Sequence, residues 1–166
     1  MQFDTPVTAP FEEVRAEWID FNGHLNMAYY NVLFDHAVDH LLAMLGCGED
    51  YLRGRAMSLF TAEAHVCYLR ELKAGDRARS TLQLVAHDEK RIRLYQELFH
   101  EDGWLSATSE TLLLHIDMKG LKVTPFPPDI AAAVGALAEA HRTMDRPKRA
   151  SRAITLGDER TATTAG

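Results

Sequence analysis

The longest patterned stretch of the chain is residues 27–45, where Tyr30, Leu33, Phe34, Ala37, Val38, Leu41, Met44 and Leu45 recur at three- and four-residue spacing. Asn31, Asp35 and Asp39 share the opposite face, which is the pattern of an amphipathic helix of about five turns. Asn26 is a good N-cap for it, and Gly46-Cys-Gly48 supplies the stop. Four further runs at 57–70, 76–88, 91–101 and 104–118 read as strands. The breaks between them, Lys73-Ala-Gly75-Asp76, Asp88-Glu-Lys90 and Glu101-Asp-Gly103, are short and turn-rich, as hairpins require. Arg77, Arg79, Thr81 and Gln83 alternate with Ala78, Ser80, Leu82 and Leu84, so one face of that strand is wet. Thr111-Leu-Leu-Leu-His-Ile116 is apolar on both faces, as a central strand would be. Residues 11–19 predict a first extended segment with Val14, Ala16 and Trp18 on one side. Residues 128–144 predict a second helix, with Pro128 in its first turn and Ile130, Val134, Leu137 and His141 on one face.

The order is strand, long helix, then a meander of long strands. This predicts an α+β fold in which a curved, five-stranded antiparallel sheet wraps around one central helix, with a C-terminal helix added. Residues 1–144 form a single domain in this reading, and 145–166, rich in Arg, Thr, Ala and Gly, form a disordered tail.

Composition narrows the class of function. With 46% hydrophobic and 25% charged residues, the chain of 166 residues is a globular domain able to bury its own core. No apolar run approaches the roughly 18 residues of a membrane helix, so no membrane association is expected. The first residues lack the basic and apolar regions of a signal peptide, and the expected compartment is the cytoplasm. The net charge is −6 and the basic residues are scattered, which disfavours nucleic-acid binding. Arg146, Lys148, Arg149 and Arg152 form the only basic cluster, read as solvated tail. Cys47 and Cys67 match no metal-binding spacing and read as reduced, non-catalytic thiols.

Asp20-Phe-Asn-Gly-His-Leu-Asn26 gathers a carboxylate, an imidazole and two carboxamides directly before the long helix. The first amides of a helix have no intrahelical partners and lie at its positive end, so they can hold a developing oxyanion. A carboxylate beside them can attack a carbonyl or activate water. An Asx-rich turn with a capping Asn, in which His24 satisfies a backbone carbonyl, carries the same residues without chemistry.

Trp18-Ile-Asp-Phe-Asn-Gly-His-Leu-Asn-Met-Ala-Tyr-Tyr30 resembles the signature of the 4-hydroxybenzoyl-CoA thioesterase branch of the hotdog superfamily. The order of elements resembles it too, over roughly residues 11–118. The resemblance implies a hotdog fold and an enzyme, a thioester hydrolase cleaving a small acyl-CoA to free acid and CoA. Asp20 matches the catalytic Asp. Residues Gly23 to Met27 match the loop whose amide donates to the thioester oxygen, with the Met27 N–H as donor. His24 and Asn26 match polar positions that shape the site, Asn22 and Gly23 lie in the substrate loop, and Met27 stands where a second Asn is common. Glu17-Trp-Ile-Asp-Phe-Asn-Gly-His-Leu-Asn26 and Ala62-Glu-Ala-His-Val-Cys-Tyr-Leu-Arg-Glu71 most resemble betainyl-CoA thioesterases of carnitine degradation. A betainyl group carries a quaternary ammonium that favours aromatic faces. Trp18, Tyr29, Tyr30 and Phe34 are candidates.

Glu63 and His65 lie two apart on a strand, on one face with Thr61 and Cys67. They form either an exposed ion-pair face or a second wall of the site, with Glu63 orienting water opposite Asp20 across a subunit interface. Arg70 and Lys73, and more weakly Arg91 and Arg93, are candidates to meet the phosphates of CoA. His36 and His40 with Asp35 and Asp39 have chelating spacing but no third site, so no metal is expected. Asp35 also falls where the resembling enzymes often carry an acidic residue. His115 reads as a satisfied core or interface histidine, on the face opposite Glu110. No cofactor is expected beyond the coenzyme A of the substrate. The free sheet edge predicts a homodimer or homotetramer. Two rivals remain. One is an enoyl-CoA hydratase on the same fold, against which Gly23 replaces a Pro and His24 comes one residue early; the other is a non-catalytic acyl-ligand binding protein.

Overall fold

The computed structural model describes residues 3–156. Helix α1, Met27–Met44, forms where the apolar period places it. Asn26 caps it, its side-chain oxygen accepting the Ala28 N–H at 2.9 Å. The chain leaves α1 through Gly46 in the left-handed region, at φ 78°. Leu33, Phe34, Ala37, Val38 and Leu41 are all buried, each about as deeply as any residue of the core.

The four long strands are β3 (Met57–Tyr68), β4 (Arg77–His87), β5 (Arg91–His100) and β6 (Leu105–Asp117). All neighbours are antiparallel, and β6 lies between β5 and β3, as its two apolar faces require. On β4, Ala78, Ser80, Leu82 and Leu84 are buried and the alternate residues are not. The expected first strand over 11–19 is corrected. Only Glu12–Glu13 (β2) joins the sheet there, beside β4, while Ile19 makes a lone bridge to Leu25 and Ala16–Trp18 makes one tight helical turn that buries Trp18 and leaves Ala16 exposed. A second short pairing, Val7–Thr8 (β1), also joins β4, and Lys122–Val123 (β7) joins β6. The sheet therefore has seven strands, four of them long, and not five. Propensity over 11–19 was overridden because Val14 and Trp18 both reach the core through a turn, at a spacing that a flat strand would also allow.

The seven residues Glu49–Arg55 form a short helix, α2, that periodicity does not reveal. Acidic Glu49 and Asp50 open it and Arg53 and Arg55 close it, matching the helix dipole. Its Tyr51 donates or accepts with His115 at 2.7 Å, while the other ring nitrogen of His115 lies 2.8 Å from the Thr124 carbonyl. His115 is thus a satisfied core histidine. Helix α3, Pro128–His141, packs Ile130, Val134 and Leu137 into the same core as α1. Its first turn is tied to α2 by a two-pronged Arg55–Asp129 pair at 2.9 and 2.6 Å.

At the end of α3, His141 accepts the Leu84 N–H on Nδ1 at 2.9 Å, next to a register shift in β4. Residues 145–156 continue along the face of the sheet remote from α1: Gln83 donates to the Asp145 carbonyl and Glu110 accepts the Ser151 N–H. The remainder of the expected tail lies outside the described residues. No helix among the described residues is long and apolar enough to cross a membrane.

Two outcomes follow from this packing. Leu41 is 1% exposed, and Leu41→Ala is expected to lower the urea-unfolding free energy by about 2–5 kcal/mol. Burial holds the His141 imidazole below its ordinary pKa, against a smaller opposing effect of the Asp4 carbonyl. The folded state therefore binds fewer protons than the unfolded one, and this contribution is lost as pH falls through and below the ordinary imidazole value of about 6.5. Urea midpoints between about pH 7.5 and about pH 5.5 should fall more steeply in the wild type than in His141→Phe, which is less stable throughout.

Candidate active site

Three sections of chain meet at the start of α1. Residues 18–26 form a tight hairpin: Asp20 N–H donates to the His24 carbonyl at 2.9 Å, and Asn26 N–H donates to the Trp18 carbonyl at 2.9 Å. Its tip, Phe21-Asn22-Gly23, closes with the Gly23 N–H on the Asp20 carbonyl at 3.0 Å. Gly23 sits at φ 80°, where an L side chain is strained, so glycine is needed there. Leu25 N–H donates to the Leu72 carbonyl at 2.8 Å, which fastens the hairpin to the segment after β3. Together these bonds hold Asp20 beside the first turn of α1.

One oxygen of Asp20 accepts the Asn22 N–H at 2.8 Å. Among the described residues the other oxygen has no hydrogen bond. The Asn26 cap takes the Ala28 N–H, and the Tyr29 N–H goes to the Asn26 carbonyl. The Met27 N–H is left without a partner among the described residues, and the Met27 side chain is 64% exposed. A half-buried carboxylate and an open helix-terminal amide thus belong to one short hairpin and the helix it leads into.

The surrounding residues divide into scaffold and rim. Trp18 stacks on Tyr29 with ring centres 5.3 Å apart, and the Arg15 guanidinium lies 4.9 Å from the Trp18 ring. The Tyr30 hydroxyl accepts the Leu72 N–H at 3.2 Å and its ring meets Tyr68 edge-on. Trp18 and Tyr30 are therefore committed to packing. On the rim, Arg70 lies 3.9 Å over the Trp104 ring, and the Lys73 N–H is bound to Asp76, which leaves its ammonium exposed. Glu71, which has no distinguishing motif, lies near His24. Its own amide first, and His24 next, hold its carboxyl below the usual range. Burial pushes the Cys47 thiol up to about 12, so it remains a protonated thiol and no nucleophile. His36 is paired with Glu12 at 2.7 Å.

Glu63 and His65 are placed differently from the expectation. A bulge between Thr61 and Glu63 flips the side-chain alternation of β3. Thr61 opposes Leu113 on the α1 side, whereas Glu63, His65 and Cys67 oppose Leu112, Glu110 and Thr108 on the far side. Glu63 thus does not share a face with Thr61 and is not brought to Asp20 within the chain. The bulge instead turns Thr61 and Ala64 toward α1. There they help line a cleft of about 280 Å³ between α1 and the sheet, along with Asn31, Asp35, Gln96, Ser109 and Thr111.

A family model described as thioesterase-like superfamily matches residues 14–134. The chain belongs to the thioesterase-like superfamily. A betainyl-CoA thioesterase of Pseudomonas aeruginosa is 38% identical over 155 residues, 93% of each chain. An L-carnitine dehydrogenase/betainyl-CoA thioesterase of Agrobacterium fabrum is 36% identical over 137 residues, 82% of this chain and 28% of that longer one. Among solved structures, a Staphylococcus aureus protein in complex with CoA superposes with TM-score 0.85 at 28% identity, covering 94% of this chain and 98% of that one. A putative thioesterase of Pseudomonas putida gives TM-score 0.78 at 30% identity, covering 91% and 97%. The expected hotdog arrangement, one antiparallel sheet against a long helix, is that of these thioesterase-like relatives.

The hairpin and the cap can be tested by stability alone. Asn26→Ala removes the acceptor of the Ala28 N–H and should cost about 1 kcal/mol in urea unfolding. Gly23→Ala meets no atom within 4 Å. It should therefore destabilise through its backbone conformation, by about 1 kcal/mol.

Proposed function

We propose that this protein hydrolyses a small acyl-CoA thioester, releasing the free acid and CoA. The observation that carries this is the Asp20 carboxylate, with one oxygen unengaged, in the hairpin that leads directly into the unpartnered Met27 amide. In this reading the thioester oxygen accepts the Met27 N–H, which grows stronger as charge develops on that oxygen. The free oxygen of Asp20 attacks the carbonyl carbon or takes a proton from the attacking water. The carbon–sulfur bond breaks, and the thiol of CoA leaves. Asn22 and Gly23 hold the Asp20 carboxylate and the turn, and His24 and Asn26 line the entrance. Neither metal nor redox group takes part, and coenzyme A enters only as part of the substrate. Arg70 and Lys73 offer positive charge to its phosphates. Glu63 and His65 face away from α1 within the chain, so any part they take opposite Asp20 is played in the site of a second copy.

The identity to betainyl-CoA thioesterases over nearly the whole chain supports a betainyl group as the acyl part. We further propose that the protein acts as a homodimer or homotetramer. The outer edge of β3 is unpaired among the described residues, and Phe60 and Tyr68 on it are 44% and 45% exposed. An edge of this length with exposed aromatic residues is what a second copy would cover.

Free thiol released from a panel of short acyl-CoAs tests the activity. Asp20→Asn should lower kcat by about 10²–10⁴-fold. Wild-type turnover that survives this substitution intact, or hydration of an enoyl-CoA without thiol release, would refute the assignment. A single turnover in ¹⁸O-water tests the covalent role of Asp20: unlabelled oxygen in the first acid released, with label entering Asp20, requires a mixed anhydride opened at the Asp20 carbon, whereas direct attack of water on the thioester labels the acid and never Asp20.

A further inference from the structure

The cleft between α1, β3, β5 and β6 holds polar side chains that the fold itself leaves without partners. Gln96 is 0% exposed, yet neither the oxygen nor the nitrogen of its carboxamide has a hydrogen bond among the described residues. The Thr111 hydroxyl, on a residue 6% exposed, is unpartnered as well. Gln96 and Thr111 lie on adjacent strands and on the same side of the sheet, the side that elsewhere carries Leu94, Leu98 and Leu113. A leucine at position 96 would fill this space without loss, so unpaired polar groups here point to something that enters and pairs with them.

The geometry points to this cleft as the subsite for the acyl group of the substrate, shaped to accept a compact cationic head such as a quaternary ammonium. This deepens the thioesterase reading above and rests on it. Asp35 is the one charged residue among those lining the cleft. A cation there meets one carboxylate and the oxygens of Gln96, Ser109 and Thr111. An anionic acyl group would meet the same carboxylate and no positive charge. A quaternary ammonium has no N–H to direct, so a spread of oxygen dipoles suits it better than one fixed acceptor. Its methyl groups need apolar contact, and Phe34, Val32, Val38 and Ala64 supply it. Phe34 is also the candidate aromatic that lines the cleft, whereas Trp18, Tyr29 and Tyr30 are engaged with one another, with Arg15 or with Tyr68.

Position fits size. Asn31 and Asp35 follow Met27 by one and two turns of α1, about 6 and 12 Å along its axis at about 1.5 Å per residue. An acyl group whose carbonyl sits at the Met27 N–H and whose head is two bonds away reaches the Asn31 end, and the Asp35 carboxylate acts on it through space from one further turn along the helix. The cleft's 280 Å³ corresponds to roughly nine waters. That is ample for a trimethylammonium head and small for a long chain.

The decisive pair of substrates is trimethylammonioacetyl-CoA and 3,3-dimethylbutanoyl-CoA, equal in shape and different in charge. Wild-type kcat/KM should favour the cation by about tenfold or more, and Asp35→Asn should cut that ratio by about tenfold. Gln96→Leu should lower the ratio too, by improving the neutral substrate as well as weakening the charged one. Binding is measured separately in the Asp20→Asn protein by calorimetry, with the corresponding non-hydrolysable thioethers of CoA. The cationic thioether should bind more tightly, and Asp35→Asn added to that protein should remove the difference. Equal kcat/KM for the two substrates in the wild type, or a ratio that Asp35→Asn leaves unchanged, overturns the subsite even if hydrolysis is confirmed. Preference for the cationic thioether in a protein that cleaves neither thioester supports the subsite while the hydrolase assignment fails.

Discussion

The first turn of α1 is the constraint on which the site depends. Helix geometry denies its leading amides any intrahelical partner, and Asn26 satisfies only one of them directly through its side chain. The amide of Met27 stays open because it stands at the first helical position and the cap takes the Ala28 N–H instead. The hairpin before the helix is held by backbone bonds among Trp18, Asp20, Gly23, His24 and Asn26, and it is fastened to Leu72 from outside. A main-chain donor tolerates substitution of the side chain it carries, so the proposed role of the residue 27 amide is compatible with a methionine there.

The sheet serves the helix as a platform with two unlike faces. The face toward α1 is apolar at one end, where Leu82, Leu84, Ile92, Leu94 and Leu113 pack with α1 and α3. Toward β3 it becomes polar, with Gln96, Ser109 and Thr111 buried. Gln96 and Thr111 have no partner among the described residues, and leaving such groups unpaired costs about 1–3 kcal/mol each. The protein therefore carries a local cost to stability beside its site, offset by the hydrocarbon packing farther along the same strands. The bulge in β3 belongs to this design, since it brings Thr61 and Ala64 onto the cleft wall and removes Glu63 from it.

The opposite face is closed by charge. Residues 145–156 cross it, and Glu110 accepts the Ser151 N–H while lying within 3.5 Å of Arg93. Burial there raises the pKa of Glu97. The basic cluster at Arg146, Lys148, Arg149 and Arg152 runs beside these carboxylates, with Arg146 bound to Ser151 at 2.8 Å.

The sequence by itself determined α1, its cap and its stop, all four long strands to within two residues, the central place of β6 and the gathering of polar residues at Asp20 to Asn26. These are local facts: periodicity, turn residues and helix-end chemistry act over a few neighbours and survive in almost any tertiary setting. The two-residue strands at Val7 and Glu12, the tight turn at Ala16–Trp18 and the short helix α2 escaped, because partners distant in sequence hold them, above all β4 and His115. Alternation along β3 misled at Glu63, since a single extra residue reverses every side chain beyond it and leaves no mark in composition. Gln96 and Thr111 looked like ordinary strand residues. Only the packing of α1 over β5 and β6 decided that they are buried, unpaired and aimed at one space, because hydrogen-bond satisfaction is a property of neighbours in space and not along the chain.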